Sequence, residues 1–136
     1  MYSGEGFDPP TETGMQPAPR DYNTDWYYVW NNSGSIPWVQ VSAQYTFLTR
    51  TSNKIGPYGS SGSQSCGSNL GDVVQLYDAN QGGWFHEGII SYIPYPCGGL
   101  SNYYVDAHTT NYYHLSLSSW SIYTMRFMFI SGWKGN

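Results

Sequence analysis

Between Asp72 and Ile130 the sequence is a series of short β-branched and aromatic runs separated by segments that hold Gly, Pro, Ser, Asn or Asp. The runs are Asp72–Tyr77, Trp84–Ile93, Tyr103–His108, Tyr112–Leu117 and Met125–Ile130. Each is too short for a stable helix and the right length for a strand. The turn cluster Ala79–Gly83 joins the first two as a hairpin, and the series predicts four or five antiparallel strands. Ahead of them Ile36, Val39, Ala43 and Phe47 recur at helical spacing, with Ser35 placed to cap and Pro37 suited to the first turn. That spacing predicts one helix over 36–49. Residues 51–69, broken by Gly and Pro and carrying Gly59-Ser60-Ser61-Gly62-Ser63, read as a loop. Residues 1–24 hold Pro9, Pro10, Pro17 and Pro19 and no apolar periodicity, so they read as an extended arm. The expected fold class is α+β: one helix, then the sheet, in a single domain over 25–136 preceded by the arm.

Such a sheet needs a core, and here tyrosine and tryptophan provide the bulk. The 136 residues include 14 Tyr and 6 Trp, each able to bury roughly 150–250 Å² while keeping a polar atom for a hydrogen bond. Only 10% of residues are charged, and nine acids against five bases give a net charge of -4. So few cations cannot neutralise several phosphates, which argues against a nucleic-acid partner. No apolar run reaches the ~18 residues of a membrane span. The aromatic, Ser/Asn/Gly-rich and cation-poor composition points to an extracellular or cell-wall location, although Met1-Tyr2-Ser3-Gly4-Glu5-Gly6 is not a secretory signal. The two cysteines, Cys66 and Cys97, either pair or stand as free thiols in loops; their spacing does not choose.

Proton transfer near neutral pH is histidine chemistry, and there are three candidates. His86 opens the apolar part of the run Trp84-Phe85-His86-Glu87-Gly88-Ile89-Ile90. It is read either as a half-buried histidine bonded to a carbonyl or as a group presented to a site. Alternation puts Asp106 and His108 on one face of their strand, where both can meet His86 from a neighbouring strand as base and orienter. His114 reads as a surface residue. Three histidines with Asp106 are enough ligands for a metal, but no His-x-His or His-x-x-x-His spacing brings them together, so no metal is expected. Gly-x-Gly-x-x-Gly, P-loop and Gly-x-Ser-x-Gly elements are absent, which removes dinucleotide, nucleotide and serine-hydrolase readings.

Gly71-Asp72-Val73-Val74-Gln75-Leu76-Tyr77, a turn, the His86 run, and then Ala107-His108-Thr109-Thr110-Asn111 resemble, in that order, the bacterial putative amidase domain. This family falls in the papain-like cysteine hydrolase group, related to CHAP-type cell-wall amidases. Asp25-Trp26 and Ser35-Ile36-Pro37-Trp38-Val39 resemble the Trp-rich stretch that precedes the Gly-Asp strand there. The resemblance implies a papain-like fold and hydrolysis of an amide or peptide bond, of a cell-wall peptide or a small amide, without a cofactor. His86 is then the general base and His108, with Asp106, its orienter, while Trp84 and Asn111 meet substrate.

One element of the pattern is missing. The family nucleophile is a cysteine at the start of a helix, in a segment like Cys-Thr-Asn-Phe-Val-Ser-Gln, and no such segment occurs. Met1–Gly6 resembles the family's residues just C-terminal to that segment. The expectation is a truncated or degenerate member, inactive as it stands, because neither Cys66 nor Cys97 leads into a predicted helix that would lower its pKa. A truncated helix would also uncover apolar surface, which favours a homodimer or a domain swap through the arm. The rival expectation is a non-catalytic module binding cell-wall glycan through an aromatic groove walled by Trp84.

Overall fold

The computed structural model describes residues 19–29, 33–107 and 112–135. His108 and Asn111 lie outside the described residues, as does most of the expected arm. Six strands form an antiparallel sheet: β3 (Gly56–Gly62), β4 (Val73–Asp78), β5 (Gly83–Tyr92), β6 (Tyr104–Ala107), β7 (Tyr112–Ser116) and β8 (Thr124–Lys134). Their order across the sheet is β3-β8-β4-β5-β6-β7. A second, two-stranded sheet pairs β1 (Tyr28–Val29) with β2 (Ser33–Gly34). The architecture is α+β. The described residues divide into two compact units, one within 60–130 and the other within 19–59 together with 131–135.

Two expectations need correction. The helix over 36–49 is two helices, α1 (Ile36–Val39) and α2 (Val41–Leu48), because Gln40 is extended at φ -109°, ψ 130°. The β-branched residues Val39 and Val41 on either side of it crowd a helix and lower its local propensity. Ser35 precedes α1, but its hydroxyl accepts the Tyr27 N–H at 3.2 Å instead of capping the helix. The loop over 51–69 contains β3, which raises the main sheet to six strands. That strand looks like a loop because it carries glycine where an aromatic ring lies on its backbone. A Cβ at Gly62 would stand 3.0 Å from the Phe129 ring.

In the Ser60–Ile130 unit the core is Val74, Leu76, Ile90, Tyr103, Val105, Leu117, Trp120 and Phe127. These come from alternate positions of β4, β5 and β6, from β8 and from the 3₁₀ turn Leu117–Trp120. Tyr103 is fully buried, and its hydroxyl accepts the Cys97 N–H at 2.9 Å. Asp72 is also buried. Its carboxylate accepts two backbone N–H groups, from Asn69 and Ile130, each at 2.8 Å. The Gly-Asp element therefore fastens the start of β4 to β8. A buried carboxylate needs such donors, and a hydrogen bond to a charged group is worth about 1.5–3 kcal/mol, which is why an acid can sit at the head of an apolar strand.

The other unit is built around Trp26. Its ring lies 4.8 Å from Trp38 and is stacked on Phe47 at 5.2 Å. Arg50 covers the Phe47 ring at 3.8 Å and donates to the carbonyls of Phe47, Lys54, Gly56 and Pro57. Burial lowers its pKa from the ordinary arginine value. Lys54 pairs with the buried carboxylate of Asp25. No described helix is long and apolar enough to cross a membrane.

Candidate active site

His86 sits on β5, opposite Leu76 of β4. The register slips between Leu76 and Tyr77, so Phe85 bulges out between the paired residues Trp84 and His86. A bulge re-aims the side chains beside it, and here Phe85 and His86 stack on each other at 6.2 Å. The edge of the His86 ring meets Trp120 at 5.4 Å, and Phe85 meets Tyr123 edge-on at 5.1 Å. Gly88 lets the indole approach: a Cβ there would come within 3.2 Å of Trp120 and of Val105. The imidazole is thus half-buried in an aromatic pocket. Among the described residues no hydrogen-bond partner meets it.

Burial disfavours the imidazolium and lowers the His86 pKa from 6.5. His86 is therefore held as the neutral imidazole, the form that accepts a proton. The same shift is a stability term. The unfolded chain takes up a proton below about pH 6.5 while the folded chain resists it, so this contribution is present at neutral pH and is lost as pH falls toward the lowered value. Urea titrations between about pH 7 and pH 5 should show a steeper acid loss for the natural chain than for His86→Gln. Parallel curves would mean that the imidazole is not desolvated.

The other expected site residues are placed differently. Ile89 of β5 opposes Asp106 of β6, and Ile89 is three residues from His86, so His86 and Asp106 lie on opposite faces of the sheet. Asp106 is engaged by Ser91 and His114 instead. Trp84 opposes Tyr77 and also lies on the face away from His86. The Arg126 guanidinium covers its ring at 3.8 Å, and Arg126 Nε donates to Gln75 Oε1, whose amide in turn donates to Glu87. Trp84 thus belongs to a polar network, and the aromatics beside His86 are Phe85 and Trp120. No signal in the sequence marks Trp120 for that place, since it depends on the fold of the turn Leu117–Trp120. Cys66 and Cys97 form a disulfide, and no free cysteine remains. Among the described residues no group of three or more His, Cys, Asp or Glu could hold a metal ion.

A strand-borne histidine half-buried among aromatic rings, on a sheet opened by a Gly-Asp element, and two cysteines joined to each other are what this α+β fold brings together. Residues 7–130 match the family described as the putative amidase domain, and the chain belongs to that family. At the coarse level its chemistry is amide hydrolysis. Neither the curated proteins nor the solved structures gave a match.

Proposed function

We propose that these residues are the base-bearing sheet of a papain-like cysteine amidase, allied to the CHAP-type cell-wall enzymes, in which His86 is the general base. The thiol it serves is not among the 136 residues, so the chain by itself does not turn over substrate. One observation carries this reading: the two cysteine sulfurs are joined to each other, while His86 is half-buried against Phe85 and Trp120, where burial lowers its pKa. His108 is assigned to orient His86, and Asn111 to meet substrate, on the family pattern alone and not on strand alternation, which would pair His108 with Asp106 on the other face. The substrate class that fits is a peptide amide of the cell wall. The disulfide supports an oxidising, extracellular setting. Trp84, covered by Arg126, leaves the rival groove without its wall.

The test is hydrolysis of a chromogenic amide and of peptidoglycan by the 136-residue chain, with and without reductant. No turnover is expected in either condition, whereas a cysteine-bearing helical segment joined ahead of residue 1 should produce hydrolysis that alkylation abolishes. Robust hydrolysis by the reduced chain, lost in Cys66→Ser, would move the nucleophile to the loop before β4 and overturn the proposal. Failure of the extended protein to hydrolyse any amide would overturn it equally.

A further inference from the structure

Three polar side chains from three strands meet on the sheet face turned away from His86. Ser91 Oγ donates to Asp106 Oδ1 at 3.0 Å and lies 2.8 Å from His114 Nδ1. The same carboxylate oxygen accepts the His114 backbone N–H at 2.8 Å and stands 3.4 Å from Nδ1. Between the pairs Val105↔Leu115 and Ala107↔Tyr112, Asp106 alone faces both Tyr113 and His114. His114 absorbs that extra residue with φ at +51°, a left-handed conformation uncommon for any residue other than glycine. Strain of this sort marks a re-aimed side chain.

Counting protons fixes what His114 presents. Ser91 has one hydroxyl hydrogen. Given to the imidazole, or to the Tyr104 carbonyl 3.4 Å away, it would leave Asp106 Oδ1 and Ser91 Oγ facing each other at 3.0 Å with no hydrogen between them. Given to the carboxylate, it requires a hydrogen on Nδ1, which then donates to Oγ, and every group is satisfied. The hydrogen bonds therefore put a hydrogen on His114 Nδ1, and in the tautomer with that single ring hydrogen Nε2 is an acceptor. Asp106 Oδ2 is a second acceptor, without a partner among the described residues. The two side chains are 36% and 44% exposed. Beside them the Tyr113 ring, 79% exposed, stacks on the imidazole at 4.1 Å, and Tyr92, 50% exposed, lies near-parallel to it at 5.8 Å.

We propose that this cluster binds a neutral pyranose sugar, whose hydroxyls donate to His114 Nε2 and Asp106 Oδ2 while its apolar C–H face lies on Tyr113. A ligand for two adjacent acceptors must be rich in donors, and a ligand for an exposed ring must have an apolar face; a pyranose has both. The carboxylate and the net charge of -4 disfavour uronate or phosphate-bearing glycans. The site is independent of the amidase reading, since it uses the other face and no thiol.

The test is an NMR titration of the full chain with cellotetraose and, separately, with chitotetraose. Either sugar should shift the amides of Ser91, Asp106, Tyr113 and His114 with a Kd on the order of 1 mM. A response to cellotetraose alone identifies a glucan as the source, and one to chitotetraose alone an N-acetylated glycan; both support the site. Tyr113→Ala and Asp106→Asn should each weaken binding about tenfold, a loss of roughly 1.4 kcal/mol. Tyr95→Ala, at a tyrosine 70% exposed but outside the cluster, should leave binding intact. No response at these residues to either sugar at about 10 mM, ten times the expected Kd, would overturn the proposal. Equal loss in Tyr95→Ala, or a neutral His114 spectrum with the hydrogen on Nε2, would overturn it too.

Discussion

In a form of the protein that carries a thiol at the nucleophile position, His86→Ala should lower kcat/KM by about 10²–10⁴. The expectation rests on what the pocket does to the ring. Phe85 and Trp120 remove water from one side of the imidazole, and burial lowers its pKa, so that the base form dominates near neutral pH. A general base of that kind contributes through the transition state, so kcat should fall with little change in KM. His114→Ala should leave kcat within about twofold, because His114 meets Ser91 and Asp106 on the opposite face and a surface change away from the chemistry moves little. Equal losses for the two variants would show that the base has been assigned to the wrong face.

Replacing Cys66 and Cys97 together by serine should destabilise the folded chain by about 3–4 kcal/mol, read from chemical denaturation in water-extrapolated form. The bond joins residues 31 apart in sequence, and without it the unfolded chain regains the freedom of that whole loop. The loop includes β4, the 3₁₀ turn Ala79–Gln81 and β5, the hairpin that carries His86. On the folded side, Cys97 is also held by its N–H bond to the buried Tyr103 hydroxyl, which keeps the bridge in place over the core. A loss under about 1 kcal/mol would mean that the hairpin restrains the unfolded loop without help from the bridge. On the proposed function, both substitutions together should leave hydrolysis by the 136-residue chain unchanged, since the two sulfurs are joined to each other.

Much of the strand pattern was legible because hydrophobic alternation acts over a few residues. The runs at Asp72–Tyr77 and Trp84–Ile93 became β4 and β5 within a residue or two, and the turn between them was marked by Asp78, whose carboxylate accepts the Asn80 N–H at 2.9 Å. The strand at Gly56–Gly62 was not legible. Its glycines signal a loop locally, and only the ring of Phe129, distant in sequence, gives Gly62 a reason to sit in a strand. The break at Gln40 was hidden for the opposite reason: the apolar spacing of Ile36 to Phe47 runs straight through it.

The candidate site divides along the same line. The sequence by itself determined the α+β class and the family, because strand periodicity, the Gly-Asp element and the order of short motifs are local or ordered properties. Only the tertiary structure decided which side chains share a face. One bulged residue, Phe85, places Trp84 and His86 on opposite faces, and one extra residue opposite Asp106 turns His114 toward that carboxylate. Because side chains alternate with a period of two, a single inserted residue exchanges faces for everything beyond it, and local sequence carries no record of the register that places the insertion.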